Sequence, residues 1–378
     1  MKSGRELRLT NEHRLLGADL LTHGWIQAGE LKPGMSLVMD PDMIGDQATI
    51  QTAPWPPDGR VSRVNDELAY LAAEDCPSVA LTERWGRFLG LFAGDGCASG
   101  TAVTMSFDGL DQDLIDLYRE DMSQIGLWPS TEKSARTWDG EILRRRSGSG
   151  SSMHLIRFLR SLGVVADGSV KRIITVPEVI WRSPRNVVSA FLAGLFEADG
   201  HVTGTGLSLS TKHHSFALQV QRLLTAFGIE SSITEKWNSA QVGGKKHQSF
   251  YLELNRHAAA VFVKEIGFLS SRKRKALDVV TSRPHSNKYK PMSWIDSVVK
   301  AEPCWLEPVD IQVEGEVFAA AGFVSHNSWL KPLEKASVGV PSVMSPRPEY
   351  ARLHRDYGVG VLADTPAQWY REVKRLAD

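Results

Sequence analysis

Two Asp-Gly pairs, Asp95-Gly96 and Asp199-Gly200, are the residues of this 378-residue chain best placed to do chemistry. Each closes an apolar run rich in small residues: FLGLFAGDG at 88–96 and FLAGLFEADG at 191–200. Two carboxylates held close together repel, so each resists ionising beside the other. A hard divalent cation such as Mg2+ takes oxygen ligands and removes that cost. A cation held in this way activates water and stabilises a leaving oxygen, which is the chemistry of phosphodiester hydrolysis. A single Asp-Gly is more simply a turn or a helix cap. These two stand apart because they recur inside a larger repeat.

The repeat runs well beyond the motif. The aspartates are 104 residues apart; Thr131-Glu132-Lys133 matches Thr234-Glu235-Lys236, and FLRSLG at 158–163 matches FVKEIG at 262–267. Several landmarks at a nearly constant offset define a tandem duplication of a unit of about a hundred residues. Each unit reads as helix, two strands, helix, one or two strands, helix. In the opening runs Phe88, Leu91 and Phe92, then Phe191, Leu195 and Phe196, recur at helical spacing. Gly90, Gly94, Ala193, Gly194 and Ala198 are small enough for two helix backbones to approach closely. Gly96 and Gly200 suit helix C-terminal caps. Two such helices side by side bring both aspartates to one end.

The second run, LAGLFEADG at 192–200, resembles the signature of the LAGLIDADG homing endonucleases, and LGLFAGDG at 89–96 resembles a diverged copy. The resemblance implies signature helices at a pseudo-twofold interface and saddle-like β-sheets along the major groove of double-stranded DNA. It implies Mg2+ on Asp95 and Asp199, with the carbonyls of Gly94 and Ala198 as further contacts. It also implies a lysine supporting the catalytic water, matched here by Lys171, although Pro177 follows later than the family pattern has it. Lys273 and Lys275 compete for the same role in the second repeat, and the sequence does not choose between them. Strand-borne Arg136, Arg144, Arg145, Arg146, Lys236, Lys245 and Lys246 are candidates to grip DNA, arginine suiting guanine edges and lysine phosphates. The protein is expected to act as a monomer.

Charge supports this placement. The whole chain balances 44 Lys and Arg against 44 Asp and Glu, but 84–290 holds 28 basic and 19 acidic residues, so the centre is basic and its flanks acidic. A basic segment attracts a phosphate backbone. Cys76, Cys97 and Cys304 have neither metal-type spacing nor a disulfide framework, which fits a reducing, cytoplasmic setting. No apolar run approaches the roughly 20 residues that span a bilayer, and the first residues, MKSGRELRLTNEH, contain no apolar signal segment.

The flanks carry a second chemistry. In EPVDIQVEGEVFAAAGFVSHNS at 307–328, alternating apolar residues suggest strands that lead to His326-Asn327-Ser328. An asparagine amide can attack its own carbonyl and cut the chain as a succinimide. A neighbouring histidine helps by proton transfer, and a following serine supplies a nucleophile. The stretch resembles an intein C-terminal splice junction, with Asp310 at the aspartate position of the preceding conserved strand. Upstream, Thr10 and His13 in GRELRLTNEHRLL, followed by GWIQAGELKPGMSLV, resemble the intein element that polarises the N-terminal scissile peptide. No Cys- or Ser-led segment precedes Thr10. The chain therefore reads as an N-terminally truncated intein, unable to splice in cis unless an upstream fragment completes it in trans.

Residues 328–378 alternate helix, short strand and helix, and resemble the nucleotide-sugar end of a glycosyltransferase, with Glu334 and Gly339-Val340-Pro341 at the motif positions. The expected architecture is α+β and multidomain. A β-rich Hint-type splicing core (1–82 and 291–327) is interrupted by a two-repeat endonuclease (83–185 and 186–290), each repeat αββαββα-like. An α/β C-extein (328–378) follows. The competing expectations are a LAGLIDADG module that binds DNA without cutting it, and a glycosyltransferase fragment with an inactive insertion.

Overall fold

A computed structural model of the chain describes residues 1–11, 13–19, 22–40, 44–47, 49–51, 78–98, 103–124, 129–136, 142–149, 156, 159–166, 172–239, 246–283, 294–305, 317–326, 336, 339–344, 346 and 348–377. The chain forms two compact units, Met1–Glu6 with Met39–Ser297 and Leu7–Val38 with Val298–Asp378. The basic centre falls in one unit and most of the acidic flanks in the other, with bounds that differ from the expected 83–290. Met1–Glu6 and the stretch from Met39 belong with the centre. Backbone bonds give part of the reason: Gly45 and Gln47 donate to the carbonyls of Trp181 and Arg182 at 2.8 and 2.7 Å.

The flanking unit opens with β1 (Arg14–Asp19), β2 (Thr22–Gln27) and β3 (Ser36–Val38). Strands β1 and β2 form a hairpin in register from Arg14↔Gln27 to Asp19↔Thr22, and β3 pairs with β1 through Gly17↔Leu37.

The central unit begins with the small pair β4 (Thr49–Gln51) and β5 (Ser78–Ala80). The first repeat follows: α1 (Glu83–Asp95), β6 (Cys97–Ala98), β7 (Val103–Asp108), α2 (Gln112–Gln124), β8 (Pro129–Arg136) and β9 (Ile142–Ser149). A short α3 (Glu178–Arg182) leads into the second: α4 (Arg185–Asp199), β10 (Gly200–Thr203), β11 (Gly206–Thr211), α5 (His214–Ala226), β12 (Ser232–Ser239), β13 (Lys246–Asn255), α6 (Arg256–Glu265), α7 (Ser271–Thr281) and then β14 (Ile295–Ser297).

The two repeats build sheets of the same strand order, β6-β7-β9-β8 and β10-β11-β13-β12. Strand alternation divides each sheet into two faces. In β7, Val103, Met105 and Phe107 are buried while Thr104, Ser106 and Asp108 are half-exposed. In the second sheet Leu207 and Leu209 pair with Leu254 and Leu252, and all four are buried. These inner faces meet α1, α4 and the flanking helices in one core that includes Phe88, Phe92, Phe191, Phe196, Phe216 and Phe262. Burying a side chain of this size stabilises a fold by roughly 1.5–3 kcal/mol.

The flanking unit resumes with β15 (Val317–Ala320) and β16 (Phe323–His326). They pair as a hairpin, and β16 returns to β1 with Arg14 opposite His326. Leu15, Leu37 and Phe323 are buried there. The chain then forms β17 (Val343–Met344), α8 (Pro348–Tyr357), β18 (Val361–Leu362) and α9 (Pro366–Ala377), with β17 and β18 parallel, as an α/β segment requires. Among the described residues no helix is long and apolar enough to cross a membrane.

Candidate active site

Helices α1 and α4 touch at backbone level. A Cβ placed on Gly90 would lie 2.0 Å from the Phe191 carbonyl oxygen and 2.8 Å from the Leu195 nitrogen. A Cβ on Gly194 would lie 2.4 Å from the Arg87 oxygen and 2.9 Å from the Leu91 nitrogen. These two sets of partners map onto each other under the same 104-residue offset that relates the aspartates. Gly86 against Val187 and Gly94 against Ala198 complete the seam. The glycines are there for space, as the small residues of the sequence suggested.

Gly96 and Gly200 are the C-caps of α1 and α4, as expected, and crowding adds a reason for glycine that the sequence did not show. Their φ values are −72° and −79°, so neither forms a left-handed cap. They are glycine because a Cβ would strike the preceding helix turn, 2.3 Å from Phe92 Cδ2 and 2.5 Å from the Phe196 oxygen respectively.

The seam delivers Asp95 and Asp199 to the same end, where the two interact electrostatically. They are not equivalent: Asp95 is exposed and Asp199 half-buried. Burial first, and the Asp95 charge second, push the Asp199 carboxyl up from 3.8 to about 6, against the pull of Arg172 and Lys273. A cavity of about 250 Å3 lies beside them, lined among others by Asp95, Asp108, Asp111, Glu197, Arg272 and Lys273.

Each signature helix ends on a cation. Lys273 Nζ donates to the carbonyls of Phe196, Glu197 and Gly200 at 3.4, 2.5 and 2.8 Å, closing the C-terminus of α4. Lys275 is exposed, so Lys273 is the lysine that reaches this site. In the first half the cation is Arg172: its Nη1 meets the carbonyls of Phe92 and Gly96 at 2.8 and 3.0 Å, and that of Gly94. Phe92 and Gly96 correspond to Phe196 and Gly200. Lys171, expected in this role, lies outside the described residues. A positive charge at a helix C-terminus is favourable through the helix dipole. Burial lowers the pKa of both cations. The Asp199 charge does most to offset this for Arg172, and the Glu197 charge for Lys273.

The elements that hold these cations are specific. Glu197, buried within α4, accepts from the backbone of Leu269 and Ser270 at 2.8 and 2.9 Å and from the Ser270 hydroxyl at 2.7 Å. Ser270 in turn caps α7, whose third residue is Lys273. Arg272 fixes the same helix to the first repeat through two bonds to Asp111, at 2.8 and 2.7 Å. Arg172 sits on a bridge to Val165, and Gln219 of α5 accepts from Val176 at 2.8 Å just beyond it. Sequence reasoning missed Arg172, Glu197 and Arg272. Glu197 had a signal, as the lone charge inside an apolar run; Arg172 had only its adjacency to Lys171.

The other expected residues are distributed as follows. Lys236 is exposed on the outer face of the second sheet, 3.0 Å from Glu253 and over the Tyr251 ring. Arg136 lies in β8, and Arg144, Arg145 and Arg146 in β9, in register with Asp108, Phe107 and Ser106. Lys246 opens β13 opposite Ser239, and Lys245 is outside the described residues. The Gly94 carbonyl, expected near the metal, spends one lone pair on Arg172. In the flanking unit, Thr10 is exposed and its carbonyl accepts from the His13 backbone at 3.1 Å. Burial, then the charge of His326, lowers the His13 pKa, which brings these two histidines into one electrostatic neighbourhood. The buried His326 ring packs 4.8 Å from Trp25. Asp310, Asn327, Ser328 and Glu334 lie outside the described residues, while Gly339-Val340-Pro341 precedes β17.

Residues 186–267, the heart of the second repeat, match the family model of the LAGLIDADG-like domain. Among curated proteins, the chain is 28% identical over 207 residues to a DNA gyrase of Mycobacterium malmoense, covering 52% of the chain and 40% of that protein. It is 25% identical over 343 residues to a DNA polymerase of Thermococcus hydrothermalis, covering 85% of the chain and 18% of that protein. A probable translation initiation factor of Thermococcus kodakarensis is 26% identical over 239 residues, 62% of the chain and 18% of that protein. The chain thus spans less than half the length of each of these relatives. Among solved structures, I-DmoI in complex with DNA and Mn aligns at 16% identity with a TM-score of 0.34, over 50% of this chain and 97% of that one. Full-length WhiA from Thermatoga maritima aligns at 15% identity with a TM-score of 0.36, over 56% and 64%.

Proposed function

We propose that the central unit is a site-specific, Mg2+-dependent endonuclease that cuts double-stranded DNA, in the manner of LAGLIDADG homing endonucleases. The carrying observation is the backbone seam of α1 and α4, which delivers Asp95 and Asp199 to one end with a cation behind each helix. The pair fits a divalent cation, because Asp199 is held high by burial and by Asp95, and a bound cation removes that penalty. When bound, Mg2+ would supply an activated water and a stabilised leaving oxygen. Asp95 and Asp199 would hold it, with the Ala198 carbonyl and a free lone pair of Gly94 in reach. Lys273 and Arg172 supply positive charge beside the reacting phosphates and orient the helix ends. The outer faces of the two sheets would lie along the duplex, with Lys236 on the second and Arg144 and Arg146 at the register positions of half-exposed Asp108 and Ser106 on the first.

We read the flanking unit as part of a Hint-type splicing core, and 328–378 as host sequence of glycosyltransferase type. Two observations support an inserted element. The chain resembles part of a gyrase, of a polymerase and of an initiation factor, proteins that share no activity. The flanking β-sheet also joins segments from both sides of the central unit, with Thr10, His13 and His326 in one unit. The test is incubation of the purified chain with Mg2+ and a plasmid bearing the uninterrupted host gene. Double-strand cleavage by wild type and none by Asp199→Asn is expected. Tight binding without nicking by a folded wild-type protein would leave the non-cleaving DNA-binding module as the better reading.

A further inference from the structure

The stretch Met1–Glu6 precedes the flanking sheet in sequence, yet it packs on the second repeat of the central unit. It lies along β12, the edge strand of the second sheet. The Ser3 carbonyl accepts from the Ile233 backbone at 2.9 Å and from Gln221 Nε2 at 3.0 Å. Gly4 makes this approach with φ +85°, and a Cβ there would meet Ile233 at 2.9 Å. Asp296 of β14 fastens the strap: Ser3 donates to it through its backbone, at 3.2 Å, and through its hydroxyl. Arg5, only 4% exposed, reaches Asp296 at 3.7 Å and Thr225 Oγ1 at 2.5 Å. The Lys2 backbone also donates to Ser297, at 2.8 Å.

The strap and β14 close one end of a cavity of about 850 Å3 on the outer face of the second sheet. Its floor includes His201, Thr203, Ser208, Lys236, Tyr251 and Glu253. These are the polar partners across β10, β11, β12 and β13, on the face opposite buried Leu207, Leu209, Leu252 and Leu254. Strand β10 follows directly on Asp199, so its Thr203 end is roughly 13 Å from the aspartate at strand rise. Arg5, Ser208 and Ser231 in the cavity wall are buried, whereas Lys2 and Lys236 at its rim are exposed.

We propose that Met1–Glu6 and β14 form the outer wall of the DNA-contacting face of the second repeat, with exposed Lys2 as a phosphate contact at the far end of that half-site. This rests on the DNA-cleaving reading of the same face. It assigns to the nuclease a segment that sequence placed in the splicing core, and it makes the contact tract end differently on the two halves. Asp296 and Arg5 neutralise each other and hold the strap, while Lys2 has no ion pair among the described residues.

The test uses the full chain and a duplex that wild type selects from a randomised library. Lys2→Ala should weaken binding severalfold, lower the salt dependence by about one phosphate, and remove backbone protection at one end of the footprint only. Lys2→Arg should restore all three. An unchanged salt slope and footprint in Lys2→Ala, on a duplex that wild type protects, overturns the inference and leaves the nuclease reading standing. A folded wild-type chain that selects no duplex overturns both.

Discussion

Replacing Asp199 with asparagine should make the metal-free protein more stable at neutral pH, although it destroys the proposed metal site. The carboxyl is raised from 3.8 to about 6 by burial and by Asp95, already net of the help it receives from Arg172 and Lys273. A rise of that size is worth about 3 kcal/mol at 1.4 kcal/mol per pH unit. The sign follows from proton binding. Below pH 3.8 the group is protonated folded and unfolded, and folding bears no penalty. Between 3.8 and 6 the unfolded chain ionises while the folded one resists. Above 6 the folded carboxylate carries the full cost. Wild type in EDTA should therefore lose up to about 3 kcal/mol as pH rises through that window, and Asp199→Asn should not. The assay is denaturant unfolding of both proteins in EDTA at about pH 4 and pH 8. The variant should gain about 1–3 kcal/mol at the higher pH and little at the lower. Mg2+ should then stabilise wild type by mass action and leave the variant unmoved. A variant no more stable than wild type at pH 8, or a gain equal at both pH values, would refute the reasoning.

Gly90→Ala should cost at least about 3 kcal/mol and abolish cleavage, because its Cβ meets backbone 2.0 Å away that cannot yield. Gly204→Ala, with open space around it, should stay within about 0.5 kcal/mol, and thermal unfolding separates the two. Arg172→Met and Lys273→Met should each slow cutting of one strand more than the other, so a nicked plasmid intermediate accumulates in a time course; parallel loss on both strands would count against two distinct half-sites. If Asn327 still cyclises, mass spectrometry of the incubated chain should find a fragment beginning at Ser328, and none from Asn327→Ala.

The sequence made the pair legible because duplication leaves a constant offset, and because a carboxylate that ends an apolar small-residue helix has few structural reasons to be there. The neighbouring placement of Asp95 and Asp199 and the shared strand order of the two sheets follow from that duplication, while the choice of Lys273 over Lys275 came only from the structure. Arg172 was hidden because it stands 101 residues before Lys273 instead of 104, where an insertion breaks the repeat. The strap was hidden for a different reason. Ser3 and Arg5 acquire meaning only from Asp296, 293 and 291 residues away, and no local pattern encodes a contact at that range. Gly96 and Gly200 were half legible: their place as C-caps could be read, while the crowding against Phe92 and Phe196 could not.

The seam between α1 and α4 separates what such a protein reads from what it does. Residues on the sheets can be exchanged to suit a new sequence, because nothing in the seam depends on them. The interval between the two carboxylates is set instead by backbone resting on backbone at Gly90 and Gly194, with no side chain between to lengthen or shorten. Under the proposed chemistry the stagger of the two cuts is then a fixed dimension of the fold. A lineage could wander from one target to another and still leave ends of the same overhang.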